Sequence, residues 1–227
     1  MNCAILSDIH GNLAALQAVL AQVPDSHQIF CCGDLVGYYP DANEVCAMCR
    51  DRGVRAVRGN HEAMMLGILD CPPELEVHYR LQETLRSLTQ ENLAWIRSLP
   101  PELTLKSAGS VLRIRHASPW DEVTYLYPDS PRLEEVLLEV GETLCVGHTH
   151  HPFIRKAGDG WLVNAGSVGQ PRDYDPRACL VLGELPACSW GILRVPYDSE
   201  PLQRRLMDAG YPMKSVDLLR RTRPVLN

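Results

Sequence analysis

The chain has 227 residues, of which 45% are hydrophobic and 22% are charged. This length suits one sizeable domain with a core of its own, and the composition is ordinary for a soluble globular protein, so we expect a single α/β unit. The formal net charge is −6 at pH 7, which argues against a protein that holds nucleic acid by neutralising phosphates, and no stable nucleic-acid complex is expected.

The first apolar run, Cys3 to Leu6, predicts a buried strand that leads into a carboxylate and an imidazole two positions apart, Asp8 and His10. Residues i and i+2 of a strand face the same side, so the pair is expected to form half of a divalent-metal site. A helix over Leu13–Val23 follows, with Asn12 as its expected N-cap. The pair alone is weak evidence, because Asp-x-His occurs by accident in many chains.

The next two predicted strands repeat this order. A buried strand over 28–32 ends on Gly33-Asp34 and is followed by a helix from about Ala42 to Arg52. A third strand, over 54–57, leads into Gly59-Asn60-His61-Glu62. Ligands bind outside the carboxyl ends of the strands in open α/β sheets, so these three turns should converge on one crevice.

The rest of the chain predicts a helical insert, more strands and a helical tail. The insert covers about residues 62–99, with helices over Glu74–Leu88 and Gln90–Leu99. Strands are expected over 103–105, 111–115, 143–146 and 161–164, a helix over Arg132–Val140, and a closing antiparallel pair over 179–182 and 191–195. The basic stretch over 201–227 predicts a solvent-facing helix, with a partner-binding tail as the alternative.

The nine cysteines do not indicate a disulfide framework, because their number is odd and the chain is large. Three of them lie in apolar, strand-like runs, where cysteine behaves as a small buried hydrophobe. The first strand begins almost at Met1, so no signal peptide is expected, and no run approaches the roughly 18 apolar residues that a membrane span needs. A cytoplasmic protein without a membrane partner is therefore expected.

Polar residues that can bind metals stand at the strand ends along the whole chain. In order they are Asp8, His10, Asp34, Asn60, His61, His116, His148 and His150. Imidazole and carboxylate suit Zn, Fe and Mn, and the absence of thiolate from this set argues against a closed structural zinc site. The set suffices for two closely spaced divalent metals, with Asp34 as the expected shared ligand and His61 in reserve.

These motifs resemble those of the calcineurin-like metallophosphoesterases, which run DxH, GD, GNH[ED], an isolated H and GHxH. Here they stand in that order at residues 8–10, 33–34, 59–62, 116 and 147–150, and the resemblance covers about Met1 to Tyr197. The stretches 33–38, 116–119 and 166–173 are more narrowly similar to a small bacterial and archaeal branch. That branch is labelled as phosphodiesterases or as related to symmetrical diadenosine tetraphosphate hydrolases.

The resemblance implies an α/β fold, a four-layer αββα sandwich of two mixed β-sheets flanked by helices. It implies a metallophosphoesterase domain over residues 1–197, and we expect the C-terminal helical tail over 198–227 to pack on the same domain. It also implies two divalent metal ions, manganese first, with Fe, Zn, Ni or Co as alternatives. The first ion would be held by Asp8, His10, Asp34 and His150, and the second by Asp34, Asn60, His116 and His148.

Such a centre would hydrolyse a phosphodiester, a phosphomonoester or a phosphoanhydride in a small phosphorylated or nucleotide-like substrate. Two cations about 3.5 to 4 Å apart share a water, lower its pKa and aim the resulting bridging hydroxide in line at phosphorus. His61, next to Asn60, belongs to neither set of ligands, and the resemblance assigns it the role of general acid. The oligomeric state is left open, and a homo-oligomer is one expectation.

The second motif departs from the family pattern. It often reads GDxxD, and here Gly37 stands at its last position, so an acid that could orient a neighbouring ligand is missing. The protein Ser/Thr phosphatases carry Asp-Arg-Gly at this point, whose arginine binds phosphate, and this chain has Gly37-Tyr38-Tyr39 instead. Arg172 could replace that contact with phosphate, or it could be a salt-bridged loop residue. The alternative function is a catalytically silent scaffold of the same fold that binds protein partners, although such a scaffold would be expected to lack several of the ligands.

Overall fold

Ten strands form two five-stranded sheets in the computed structural model, which describes residues 1–222. The first sheet contains β1 (Asn2–Leu6), β2 (Gln28–Cys31), β3 (Arg55–Ala56), β9 (Ala178–Glu184) and β10 (Ser189–Val195), in the order β10-β9-β1-β2-β3. The second contains β4 (Leu103–Ser107), β5 (Ser110–Ile114), β6 (Glu142–Val146), β7 (Phe153–Ala157) and β8 (Gly160–Asn164), in the order β4-β5-β6-β8-β7. Both sheets are mixed, with β1, β2 and β3 parallel in one and β5, β6 and β8 parallel in the other.

The described helices fall into three groups along the chain. They are α1 (Leu13–Leu20), α2 (Ala42–Asp51), the insert helices α3 (Asn60–Met65), α4 (Pro73–Tyr79), α5 (Leu81–Ser87) and α6 (Gln90–Ser98), and the C-terminal α7 (Glu200–Asp208) and α8 (Met213–Leu218). Asn12 caps α1 as predicted, because its side chain accepts a hydrogen bond from the backbone N–H of Ala15 at 3.2 Å. Within residues 1–222, none of these helices is long and apolar enough to cross a membrane.

The two sheets pack face to face, and the alternation of side chains along β1 shows how. Cys3 and Ile5 point into the core between the sheets, where they meet residues such as Leu112 of β5. Ala4 and Leu6 point the other way, into the core that the first sheet shares with α1, α2 and α6. Two mixed sheets flanked by helices are the architecture that the family resemblance implied.

The helix predicted over Arg132–Val140 was wrong. The chain forms only a short 3₁₀ turn, Pro131–Glu135, and then runs extended. The backbone N–H of Leu138 donates to the carbonyl of Ala157 at 3.1 Å, so this residue is bridged to the end of β7 and cannot continue a helix. The strand β7 itself was not among the predicted elements, and the turn and its neighbours cover the outer face of the second sheet.

The helix predicted over Glu74–Leu88 is two helices, separated at Arg80. This residue has a φ of 53°, in the left-handed region, and so it ends α4 and begins α5. The carboxylate of Glu76 accepts hydrogen bonds from the backbone N–H groups of Leu81, at 3.2 Å, and Gln82, at 2.8 Å. It thereby satisfies donors at the start of α5 that have no partner within the helix.

The C-terminal helices pack against the loop that follows β2. Leu206 of α7 and Val216 of α8 are buried in a cluster with Tyr38 and Tyr39. The Tyr39 hydroxyl also donates a hydrogen bond to the carbonyl of Ser215 at 3.2 Å. The last part of the predicted tail, residues 223–227, lies outside the described residues.

Candidate metal centre

Both sheets supply residues to one site at the carboxyl ends of their parallel strands. Five strands lead into it, namely β1, β2 and β3 of the first sheet and β5 and β6 of the second. The residues that follow these strands are Asp8, His10, Asp34, Asn60, His61, His116, His148 and His150, and all of them are buried. The crevice expected from the strand order therefore exists, and the second sheet forms its other wall.

Five of these eight residues have a left-handed backbone conformation, which residues other than glycine seldom adopt. Asp8, His10, Asp34, His148 and His150 have φ angles between 51° and 65°. Such left-handed residues cost on the order of 1–3 kcal/mol each and persist where the surrounding structure fixes them. The reasoning that placed Asp8 and His10 on one side of a strand was therefore wrong, because β1 ends at Leu6 and both side chains reach the site through turns.

Neighbouring turns fix these conformations by backbone hydrogen bonds. The N–H of Asp8 donates to the carbonyl of Gly33, and the N–H of His10 donates to the carbonyl of Asp34, each at 3.0 Å. The turns after β1 and β2 therefore hold each other in place. Their side chains converge as a consequence of this mutual support.

A first group of ligand atoms gathers around Asp8, His10 and His150. The His150 Nε2 lies 3.1 Å from the Asp8 Oδ1 and 3.1 Å from the His10 Nε2. The His10 Nε2 also lies 3.9 Å from the Asp34 Oδ2. This group could hold one metal ion, with Asp34 at its edge.

A second group lies on the other side of Asp34. The His116 Nε2 is 3.4 Å from the Asp34 Oδ2, 3.1 Å from the His148 Nδ1 and 2.8 Å from the Asn60 Oδ1. Asp34, His116 and His148 could hold a second ion. The carboxylate of Asp34 thus stands between the two groups, where a shared ligand would have to be.

Each of the four histidines in these groups has its far ring nitrogen at hydrogen-bond distance from a backbone carbonyl. The pairs are His10 Nδ1 with Val36 at 3.1 Å, His116 Nδ1 with Cys32 at 2.8 Å, His148 Nε2 with Val123 at 3.1 Å, and His150 Nδ1 with Gln170 at 2.5 Å. If the far nitrogen carries the proton, the near nitrogen offers a lone pair to a metal.

The donor atoms of this arrangement lack suitable partners within the protein, and a bound cation would supply one. With the far nitrogens protonated, the near nitrogens of His10 and His150 are two lone pairs 3.1 Å apart that cannot bond to each other. The buried Asp8 Oδ1 has no hydrogen-bond partner among the described residues, although buried polar atoms almost always have one. Divalent cations would satisfy both, and the imidazole and carboxylate donors suit Mn, Fe and Zn.

The pKa values of the site residues in the absence of ions also indicate a place for cations. Burial, together with the carboxylates of Glu62 and Asp8, raises the pKa of Asp34 well above its usual value. Burial, followed by the charge on His150, lowers the pKa of His10 well below its usual value. Bound cations would favour the ionised carboxylate and the neutral imidazole, which are the forms that bind metals.

Glu62 organises the site without pointing into it. Its buried carboxylate accepts hydrogen bonds from four backbone N–H groups, those of Gly59, Asp34, Leu35 and Val36, at 2.7 to 3.1 Å. It thereby ties the turn after β2 to the start of α3. No role was predicted for Glu62, although an acidic residue three positions after the helix N-cap Gly59 matches half of a capping box.

The His61 ring lies beside the two groups in an aromatic setting, and with His10 and Asp34 it forms a third set of donor atoms close enough to hold an ion. Its Nε2 is 3.8 Å from the Asp34 Oδ2, and its ring centroid lies 5.2 Å from that of Tyr38 and 4.2 Å from that of Tyr79. Gly37 has a φ of 88°, and a Cβ there would stand 2.2 Å from the His61 Nδ1, so an acid at this position of the second motif would require the His61 ring to move. Two tyrosine rings, which the sequence did not reveal, hold the imidazole instead.

Arg172 lies beside the site without an ion-pair partner among residues 1–222. Its guanidinium donates to the side-chain oxygen of Gln170 at 2.6 Å and to the Tyr38 hydroxyl at 3.0 Å, and its backbone N–H donates to the carbonyl of His150 at 3.3 Å. The salt-bridged alternative is therefore not what the described structure contains. Neutral partners hold the side chain, and no carboxylate of the described residues is paired with its guanidinium.

Comparison with known proteins gives relatives over the whole chain. A family model described as the calcineurin-like phosphoesterase superfamily domain matches residues 1–185. An uncharacterised protein of Methanocaldococcus jannaschii is 31% identical over 92% of this chain and 93% of its own length. The crystal structure of a metallophosphoesterase from Sphaerobacter thermophilus is 28% identical and superposes with a TM-score of 0.79 over 97% of this chain and 98% of the other.

A narrower similarity concerns part of the chain. The symmetrical bis(5′-nucleosyl)-tetraphosphatase of Pectobacterium atrosepticum is 33% identical over 106 residues, which are 44% of this chain and 38% of that enzyme. The family model covers most of the chain, and the similarity to the Sphaerobacter metallophosphoesterase agrees with it. The chain belongs to the calcineurin-like phosphoesterase superfamily.

Proposed function

We propose that this phosphoric ester hydrolase works with two divalent metal ions and cleaves a phosphodiester, phosphomonoester or phosphoanhydride bond in a small substrate. The observation that carries the proposal is the convergence of four imidazole nitrogens on two carboxylates and one amide oxygen. Each of the four rings has its other nitrogen at a backbone carbonyl. A site built in this way is prepared for cations before any cation binds.

The two groups of donors support the ligand sets that we propose. One ion would be held by Asp8, His10, Asp34 and His150, and the other by Asp34, Asn60, His116 and His148. When bound, divalent ions supply a nucleophile at neutral pH by lowering the pKa of water, and they neutralise charge on the phosphate oxygens. Manganese is our first choice, although the donors also suit Fe, Zn, Ni and Co.

His61 is the proposed general acid. Its backbone N–H donates to the Asp34 Oδ1 at 2.9 Å, so the residue is anchored to the shared ligand. The rings of Tyr38 and Tyr79 fix the imidazole at the rim of the cluster, where the leaving oxygen of a phosphate held there would lie. From this position it can give that oxygen a proton or stabilise its charge.

Arg172 is the proposed phosphate-binding residue. Its guanidinium is held by Gln170 and Tyr38 rather than by a carboxylate, so its charge is free to pair with the substrate. Arginine can bind two phosphate oxygens at once, and it therefore orients the phosphate as well as attracting it. This role would replace the arginine with which the protein Ser/Thr phosphatases bind phosphate at the second motif.

The proposal is tested by metal-dependent turnover. Protein purified and stripped with EDTA should release nitrophenol from bis(p-nitrophenyl) phosphate or p-nitrophenyl phosphate when Mn²⁺ is added, and further EDTA should abolish the release. His116→Ala should lose this activity, because the side chain stands in the second group. His27→Ala, which lies in a turn outside the site, is the matched control and should keep it. If no divalent metal supports turnover on either compound, the proposed function is wrong.

A further inference from the structure

A cavity of about 400 Å³ lies beside the candidate metal centre, between the helical insert and the C-terminal segment. We call it the tail pocket, and the residues of its lining that matter here are Tyr38, Tyr79, Tyr127, Arg172, Lys214 and Arg221. Three of these touch the centre directly. The rings of Tyr38 and Tyr79 pack on His61, and the backbone of Arg172 is hydrogen-bonded to that of His150.

The charge of the tail pocket is opposite to that of the whole chain. Arg172, Lys214 and Arg221 line it, whereas no Asp or Glu of the described chain does, although the net charge is −6. None of the three cations has an ion-pair partner within residues 1–222, in contrast to arginines such as Arg113 and Arg205, which pair with Glu102 and Asp41. The Arg221 guanidinium instead lies 4.5 Å from the Tyr174 ring.

Aromatic and apolar side chains form much of the remaining wall of the tail pocket, which His78, His151 and Ser215 complete. Tyr79 and Tyr127 line it together with Leu75 and Leu218. Tyr127 is partly exposed and is backed by Tyr125, whose ring is parallel to it at 5.7 Å between centroids. Rings of this kind offer faces on which a flat heterocycle can stack. The volume falls within the range of about 300–1,000 Å³ that is usual for small-molecule sites.

We propose that the tail pocket binds the leaving group of the substrate and that this leaving group is a nucleotide. It would be a flat base placed against Tyr79 and Tyr127, with phosphate paired to Lys214 and Arg221, while Arg172 serves the phosphate that reacts. The proposal rests on the proposed function, because it places the reacting phosphate at the candidate metal centre. It assigns substrate selection to the C-terminal helix α8 and the residues just after it.

Binding measured without metal isolates the tail pocket, because Mn²⁺ in the centre would bind phosphate groups itself. Isothermal titration calorimetry of the EDTA-treated full chain with ADP, adenosine and pyrophosphate separates the contributions of ring and charge. We expect ADP to bind more tightly than either of the other two. Lys214→Gln and Arg221→Gln should each weaken ADP binding about tenfold, as expected for the loss of one hydrogen bond to a charged group.

Lys106→Gln is the matched control, because it removes one exposed cation from β4, outside the tail pocket, and should leave ADP binding unchanged. The variants change exposed or partly exposed side chains, and their urea unfolding midpoints should equal that of the parent. The proposal fails if the parent does not bind ADP, if pyrophosphate or adenosine binds as tightly as ADP, or if Lys214→Gln and Lys106→Gln behave alike. These results are independent of nitrophenol release, so a failure here is distinguishable from a failure of the proposed function.

Discussion

At the residue level, the histidines of the site differ in whether their second ring nitrogen has a hydrogen-bond partner. This difference separates the proposed metal ligands from the proposed general acid. The rings of His10, His116, His148 and His150 are each paired with a backbone carbonyl on the far side. The His61 Nδ1 is buried and has no hydrogen-bond partner among the described residues. A ring paired on one side is fixed as a donor of one lone pair, whereas an unpaired ring is free to exchange a proton.

This difference predicts that His61→Ala removes turnover but not metal. We expect kcat for a nitrophenyl phosphoester to fall by about 10²–10⁴, the usual contribution of a general acid, while two equivalents of Mn²⁺ per chain remain bound. Steady-state kinetics and metal analysis after gel filtration measure the two quantities. A variant that loses one equivalent of metal would show that His61 is a ligand.

A substitution of Glu62 should affect the whole site, although its buried carboxylate points away from the metal ligands. Each carboxylate oxygen accepts two of the four hydrogen bonds, and in Glu62→Gln one oxygen becomes an NH₂ group that faces backbone N–H donors, so two hydrogen bonds are lost. Buried donors left unpaired cost about 1–3 kcal/mol each, and we expect a loss of at least this size in the free energy of unfolding.

Urea denaturation measures this loss, and Glu91→Gln is its control. Glu91 forms an exposed ion pair with Arg50, so its substitution should change stability by less than about 0.5 kcal/mol. Affinity for Mn²⁺ should fall in Glu62→Gln alone, because the turn that carries Asp34 loses its anchor. Equal stability of the two variants would contradict the role given to Glu62.

At the element level, the turn between β4 and β5 carries a residue that does not suit its backbone. Ala108 and Gly109 form a two-residue hairpin connection, and both have positive φ, at 47° and 85°. Turns of this kind favour Asn-Gly, because asparagine tolerates the left-handed region better than alanine does. We predict that Ala108→Asn raises the free energy of unfolding by about 0.5–1 kcal/mol.

Chemical denaturation of the parent and two variants checks this prediction. Ala108→Val places a β-branched side chain at the same exposed position and should destabilise the protein, because such residues avoid positive φ. The activity of both variants should equal that of the parent, since the turn is remote from the candidate metal centre. An Ala108→Asn protein that is no more stable than the parent would contradict the turn assignment.

The sequence predicted elements well where one local signal decided the structure. Apolar runs ending at Asp8, Asp34 and Asn60 marked three strands, and Asn12 marked the start of α1. The prediction failed where a residue distant in the chain determines the structure. Leu138 lies in a stretch with helical spacing, but its backbone N–H is hydrogen-bonded to the carbonyl of Ala157 instead. Local spacing carries no information about such a partner.

The same limit applies to the candidate site. The motifs named the residues that converge, but they did not show that left-handed turns, rather than strand alternation, aim Asp8 and His10. Nor did they reveal that Tyr79, from the insert, packs on His61. Contacts between segments far apart in the chain depend on the fold as a whole.

At the level of the whole molecule, the candidate metal centre joins the two sheets. Asp8 and Asp34 follow strands of the first sheet, whereas His116 and His148 follow strands of the second. Ions bound between them would link the sheets at one edge. Since the unfolded chain lacks this arrangement, metal binding should stabilise the folded state.

We therefore predict that Mn²⁺ raises the melting temperature of the metal-free protein and that Asp34→Ala removes the effect. At a hundredfold excess over the dissociation constant one site contributes about 2.7 kcal/mol, which corresponds to about 5–11 °C for a domain of this size. Asp34 Oδ2 lies 3.9 Å from the His10 Nε2 and 3.4 Å from the His116 Nε2, so its loss should weaken both sites together. Differential scanning calorimetry with and without Mn²⁺ measures the shift, and an Asp34→Ala protein that still gains the full stabilisation would remove Asp34 from the shared position.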